Sequence, residues 1–70
     1  MAVEIDEWKV LLTAHEAAAV EFSKAEATLT VRLTSGREVT PQERAAAETA
    51  RGRLAAARRA ILERLADREP

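Results

Sequence analysis

Apolar residues recur at steps of three and four along most of this 70-residue chain, and this spacing limits the possible folds more than any other feature. Trp8, His15, Phe22 and Leu29 form a strict series of sevens, the repeat by which coiled-coil helices face a partner. The spacing predicts one long helix over about residues 4–34. The first apolar stripe contains Ile5, Trp8, Leu11, Leu12, Ala18, Ala19, Phe22, Ala25, Leu29 and Leu33.

The segment 28–34, TLTVRLT, alternates polar and apolar residues and is therefore also typical of a β-strand. A strand here would have only residues 37–40 as its partner, and an isolated two-stranded hairpin is barely stable in water. Leu33 continues the helical stripe from Leu29, so we predict helix through this segment. Gly36 then stands just past the helix end, where a left-handed conformation suits glycine.

A second helix start follows at once. The run Thr40-Pro41-Gln42-Glu43 predicts a capping box, with Thr at the N-cap, Pro at the first helical position and Glu at the third. We expect a second helix over about residues 41–66 and a loop over residues 35–40. Because so short a connection favours neighbouring antiparallel helices, residues 1–70 are predicted to form a single all-α domain, a two-helix hairpin. The second stripe contains Ala47, Ala50, Leu54, Ala57, Ile61 and Leu65.

The chain is short for a self-sufficient core, since small domains bury only a modest share of their surface. It has no Cys and one His, so disulfides and thiolate metal sites are excluded and oligomerisation is the remaining source of stability. A weaker strip on another side of helix 1, through Val3, Val10, Ala14, Ala17 and Val31, also favours a second neighbour. We therefore predict a homodimer that forms a four-helix bundle. Its expected core and interface residues are Trp8, Leu11, His15, Phe22, Leu29, Leu54, Ile61 and Leu65.

Charge is divided unevenly between the two predicted helices. Eleven basic and twelve acidic residues nearly cancel, but residues 1–33 carry six acids and three bases, whereas residues 41–70 carry five acids and seven bases. Arginines at intervals of seven flank the second stripe, where charges select partners and orientation in helical bundles. These arginines are Arg44, Arg51 and Arg58, and the acids expected to face them are Glu7, Glu21 or Glu26.

The arginines of helix 2 also permit a second interpretation. Arg44, Arg51, Arg58 and Arg59 are candidate contacts for a protein partner or for the phosphates of a nucleic acid. A solvated, salt-bridged face is favoured, because the net charge is −1 and helix 2 carries no aromatic residue for base stacking. His15 is similarly interpreted as a half-buried packing residue, with a pH switch or ligand contact as the alternative.

Catalytic motifs are absent from the sequence. It contains no glycine-rich phosphate loop, nucleophile elbow or metal-ligand spacing, so we expect no catalytic residue, metal or cofactor. No apolar run reaches about 18 residues, and the first eight residues carry three acids and no base. We therefore expect a cytoplasmic location without membrane contact. The predicted function is a non-enzymatic oligomeric interaction module: a small subunit, assembly factor or regulator of a protein partner. The alternative is a nucleic-acid-binding regulator.

Overall fold

The computed structural model describes the backbone of residues 2–67 and the side chains of residues 6–67. This part of the chain contains two helices and no strand: α1 spans Ala2–Thr34 and α2 spans Pro41–Asp67. The prediction of an all-helical chain is confirmed, including helix through residues 28–34. The side chains of Val3 and Ile5, which the sequence assigned to apolar strips, lie outside the described residues.

The end of α1 is closed by a Schellman arrangement around Gly36. The Gly36 N–H donates to the Leu33 carbonyl at 3.1 Å, and the Arg37 N–H donates to the Arg32 carbonyl at 2.8 Å. Gly36 has a φ of +72°, the left-handed conformation that glycine adopts without a Cβ penalty. The last carbonyls of α1 are thereby satisfied within the turn, and the chain reverses direction.

The start of α2 shows the capping box that the sequence predicts. The Thr40 N–H donates to Glu43 Oε1 at 3.0 Å, and the Glu43 N–H donates to Thr40 Oγ1 at 3.1 Å. The Arg44 N–H donates to the Thr40 carbonyl at 3.0 Å, which is the first bond of the helix ladder. Two N–H groups that a helix start leaves without partners are thus paired by side chains.

Three ion pairs between the helices show that they lie antiparallel, since the end of α1 pairs with the start of α2 and the start of α1 pairs with the end of α2. Arg32 Nε contacts Glu43 Oε2 at 2.9 Å near the turn, and Arg53 Nη1 contacts Glu21 Oε2 at 3.0 Å near the middle. A third pair joins Glu7, in the first turns of α1, to Arg64, near the end of α2, at the open end of the hairpin. The three pairs show the register of the two helices. A residue of α1 and a residue of α2 lie at the same level of the hairpin when their numbers sum to roughly 71 to 75.

One strip on each helix faces the other helix, and we call these two strips together the seam. Its members alternate in steps of three and four, and all of them are buried or half-buried. Outside the seam, every described residue except Ala19, Val39 and Ala60 is exposed. The hairpin is therefore only one layer thick. The seam consists of Trp8, Leu11, His15, Ala18, Phe22, Ala25, Leu29 and Arg32 on α1, and Glu43, Ala47, Ala50, Leu54, Ala57, Ile61 and Arg64 on α2.

The centre of the seam is its most buried part. Ala18, Ala50 and Leu54 are the buried residues of the described chain, because small alanine side chains allow the two backbones to approach closely there. Near the turn the seam becomes polar, with the Arg32–Glu43 ion pair in place of an apolar contact. The stripe predicted from sequence is thus displaced at this end: Arg32 faces α2, and Leu33 is exposed.

Candidate interaction surface

The seam has two flanks that present different side chains to the outside. Successive residues on a helix are rotated by about 100°, so the residue before a seam position and the residue after it lie on opposite sides. We call one side the alanine groove: Glu7, Val10, Ala14, Ala17, Glu21, Lys24, Thr28 and Val31 on α1, and Ala46, Thr49, Arg53, Ala56, Ala60, Glu63 and Asp67 on α2. Concavities on the surface run along this side for most of the hairpin.

Three charged residues of the alanine groove are paired within the chain, whereas Lys24, Glu63 and Asp67 form none of the three ion pairs found among residues 6–67. Arg53 Nη1 donates to both carboxylate oxygens of Glu21, at 3.3 Å to Oε1 and 3.0 Å to Oε2. Glu7 contacts the seam residue Arg64 across the open end of the same groove. The Thr28 hydroxyl donates to the Lys24 carbonyl at 3.1 Å, which satisfies that polar group inside α1. The middle and the open end of this side therefore each hold one ion pair within the chain.

The opposite side, which we call the arginine face, carries most of the large exposed apolar residues. Leu33 is 68% exposed, Leu62 64%, Leu12 54% and Leu65 46%. Large apolar side chains are costly to leave in water, at about 25 cal/mol per Å² of accessible area. The arginine face consists of the residues that follow the seam positions: Lys9, Leu12, Glu16, Ala19, Ser23, Glu26, Thr30 and Leu33 on α1, and Arg44, Glu48, Arg51, Ala55, Arg58, Leu62 and Leu65 on α2.

The arginines of this face have no ionic partner in the part of the chain that the structure describes. Arg44, Arg51 and Arg58 are exposed and take no part in the three ion pairs found among residues 6–67. Their spacing of seven places consecutive guanidinium groups about 10 Å apart along α2. Glu16 and Glu26, on the same side of α1, are also exposed and form none of those pairs. Charges of both signs thus lie along both edges of this face: Lys9, Glu16 and Glu26 on α1, and Glu48 beside the three arginines on α2.

The turn end of the hairpin holds a carboxyl group with a shifted pKa. The backbone N–H of Thr40 lowers the pKa of the Glu43 carboxyl from its ordinary value of 4.5, and Arg32 acts in the same direction. Partial burial acts in the opposite direction and is outweighed. A charged Glu43 therefore links the helix cap to the seam, because one oxygen accepts from Thr40 and the other from Arg32.

Trp8 lies in the seam near the open end, where its ring is half-buried. The indole Nε1 is buried and has no hydrogen-bond partner within the described residues, and the same is true of Arg64 Nε. A buried donor without an acceptor costs about 1–3 kcal/mol. The open end is therefore less well satisfied than the turn end, where the cap and the Arg32–Glu43 pair complete the polar contacts.

The residues that the sequence proposed for a core or interface fall into two groups. Leu54 is buried, and Trp8, Leu11, His15, Phe22, Leu29 and Ile61 are half-buried in the seam. Leu65 is exposed and lies on the arginine face, one position beyond the seam residue Arg64.

The four arginines singled out by the sequence are not brought together as one patch. Arg44, Arg51 and Arg58 share the arginine face, whereas Arg59 is exposed on a different side of α2. Two of the acids expected to face them pair elsewhere in the chain, Glu21 with Arg53 and Glu7 with Arg64.

The sequence analysis did not single out Leu62, because this residue lies off the apolar stripe. Its exposed position on the arginine face becomes visible only in the folded hairpin.

In residues 6–67, no group of three or more His, Asp and Glu residues is arranged to hold a metal ion. Neither described helix has a segment that is long and apolar enough to cross a bilayer. No protein family model, curated protein or solved structure matches the chain.

Proposed function

We propose that this protein is a non-enzymatic interaction module that self-associates as a homodimer with a four-helix bundle architecture. In this role it serves as a small subunit, assembly factor or regulator of a protein partner. One observation carries the proposal: three described residues are buried, whereas seven large apolar residues are exposed. Those seven are Val10, Leu12, Val20, Val31, Leu33, Leu62 and Leu65.

The physical reason is that a single layer of two helices cannot cover its own apolar side chains. Burying one leucine completely contributes about 1.5–3 kcal/mol, which is a large fraction of the stability of a small domain. With no cysteine for disulfides, a 70-residue chain obtains this burial from another polypeptide. Other copies of the chain are present wherever one copy is. Binding between two folded copies stabilises the folded state by mass action.

Sedimentation equilibrium across the low micromolar range tests the proposal directly. We expect twice the monomer mass at high concentration, and a loss of helical circular dichroism as dilution dissociates the dimer. A folded monomer whose helicity and thermal midpoint do not depend on concentration would contradict self-association.

A second candidate function, binding of nucleic acid, is supported by the three exposed, unpaired arginines on α2. The neighbouring carboxylates Glu16 and Glu26 oppose it, because they would repel phosphates on the same face. Retardation of nucleic acid in a gel at low salt, lost in the double variant Arg51→Glu/Arg58→Glu, would favour this function. Absence of retardation at low salt would remove it.

A further inference from the structure

We infer that the arginine face is the dimer interface, and that the two copies are related by a twofold axis parallel to the helices, with both turns at the same end. This inference rests on the proposed self-association and adds the surface, the orientation and the pairing of residues. The alternative surface is the alanine groove on the other side of the same seam.

The exposed apolar residues favour the arginine face. Leu12 lies in the first half of α1, Leu62 and Leu65 lie in the last two turns of α2, and Leu33 lies near the turn end of the same side. In the register of the hairpin, Leu12 is level with Leu62 to within about one helical turn, or 5.4 Å. The alanine groove exposes only Val10 and a second valine among its large apolar residues. Covering the arginine face therefore removes more apolar area from water.

Charge favours the same face. Glu16 lies level with Arg58 to within about one turn. Glu26 lies within about one turn of both Arg51 and Glu48, so it adds no clear charge preference. Within one hairpin these groups form no ion pair. A second copy that places α1 of one face on α2 of the other brings Glu16 of each copy to Arg58 of the other at its own level. Such charge complementarity steers association and selects the orientation.

The orientation follows from symmetry. A broad face can be stacked on a copy of itself by a twofold axis across the helices or by one parallel to them. The first axis lays α2 on α2, so that two rows of arginines oppose each other and repel. The second lays α1 of each copy on α2 of the other at the same level, which brings Glu16 to Arg58 and Leu12 to Leu62. The parallel axis is therefore the one that the charges allow.

The size of the face suits a stable dimer. The hairpin measures 53 × 19 × 17 Å, so one broad face has a projected area of about 1,000 Å². Standard protein interfaces bury about 800 Å² on each partner. One copy of the chain therefore offers enough surface for a specific homodimer, without a further segment or a larger partner.

Charge reversal in separate chains tests the pairing. Arg58→Glu alone and Glu16→Arg alone each place like charges together across the interface, and we expect each to weaken self-association at least about tenfold at low salt. An equimolar mixture of these two variants should form a heterodimer of near wild-type affinity, because each reversed charge then meets its opposite. The like charges within each chain remain in the mixture, so recovery reports contact between chains. Arg59→Glu, on a different side of α2, is the matched control and should not change the dimer.

The outcomes separate this inference from the proposed function. Recovery on mixing supports the arginine face. Dimers that persist in both single variants, or weak association that mixing does not restore, would overturn the inference and leave self-association in place. A wild-type chain that sediments as a monomer would overturn both. If the arginine substitutions abolish only the retardation of nucleic acid and leave sedimentation unchanged, the inference about the interface is overturned and self-association stands.

Disulfide cross-linking tests the orientation, and the natural chain contains no cysteine to interfere. Leu12→Cys in one copy mixed with Leu62→Cys in another should give mostly the mixed disulfide under mild oxidation, since the parallel axis brings these positions together. An axis across the helices would instead place each of these cysteines opposite the turn half of the other copy. Absence of the mixed disulfide in a sample that is dimeric by sedimentation would overturn the proposed orientation.

Discussion

The alanine groove and the arginine face flank the same seam on the same two helices, yet they differ in how far one chain satisfies them. In the groove, small residues such as Ala14 and Ala60 leave little apolar area to cover, and the Glu21–Arg53 pair neutralises charge inside the chain. On the arginine face, leucines and three arginines remain exposed without partners among the described residues. The comparison teaches that the residues beside a seam, and not those within it, determine how much apolar area and unpaired charge one chain leaves exposed.

The largest effect should come from the seam that both flanks share. Leu54→Asp buries a carboxylate at the most buried part of the hairpin, and loss of a buried leucine alone costs about 2–5 kcal/mol. We expect loss of helical circular dichroism and of association together. Val20→Asp, an exposed position off both flanks, is the control and should keep the wild-type spectrum. Retained helicity in Leu54→Asp would show that the seam is assigned incorrectly.

Next in size is a direct comparison of the flanks by removing two large apolar residues from each. Leu12→Ser/Leu62→Ser on the arginine face should raise the dimer dissociation constant at least about 100-fold, at about 1.5–3 kcal/mol for each buried leucine. The matched pair Val10→Ser/Val31→Ser changes residues that are 68% and 63% exposed on the groove side. It should change the dissociation constant less than about threefold by sedimentation. The reverse ranking would move the interface to the groove.

A smaller effect is expected from the ion pair inside the groove. Glu21→Ala and Arg53→Ala, with the double variant, form a cycle that isolates the coupling of two exposed side chains. We expect a coupling free energy of about 0–1 kcal/mol in urea unfolding, reduced by added salt. The dimer dissociation constant should stay the same in all three variants. A coupling above about 2 kcal/mol, or dissociation of the dimer, would mean that this pair is buried by a partner.

The smallest effect concerns the turn end, where both flanks meet the helix cap. The pKa of Glu43 is lowered in the folded chain, so its stabilising effect is present at neutral pH and is lost as the pH falls below 4.5 and through the lowered pKa. Glu43→Gln can keep the capping hydrogen bonds but not the charge. Its thermal midpoint should fall less between pH 7 and about pH 3 than that of the wild type.

Glu63→Gln provides the comparison for this pH experiment, because it removes an exposed carboxylate of α2 that forms none of the described ion pairs and lies away from the arginine face. It should follow the wild-type pH profile. If Glu43→Gln also followed that profile, the bonds from Thr40 and Arg32 would have no energetic consequence.

Much of the architecture was predictable because it depends on neighbours in sequence. The turn at Gly36, the Thr40 cap and the two helices follow from backbone preferences and from hydrogen bonds that close within a few residues. The ambiguous segment 28–34 also follows the helical prediction, since Leu29 continues the seam there. Local interactions of this kind act before any tertiary contact is made, so the sequence alone specifies them.

The candidate surface was only partly predictable. The sequence spacing predicted that both Leu11 and Leu12 belong to the apolar stripe. The structure places Leu11 in the seam and leaves Leu12 exposed on the arginine face. At the turn end, Arg32 takes the seam position that hydrophobicity would assign to Leu33, because Glu43 accepts a hydrogen bond from it. Adjacent residues differ by about 100° on a helix, and only the opposing helix selects between them.

The sequence by itself therefore determined two capped helices, a tight reversal and a seven-residue apolar repeat, since each is set by short-range chemistry. Tertiary structure decided which side chains face inward, which acids meet which arginines, and which flank is left open. Those outcomes depend on the register between residues up to 57 positions apart, such as Glu7 and Arg64, and this register arises only when the two helices pack.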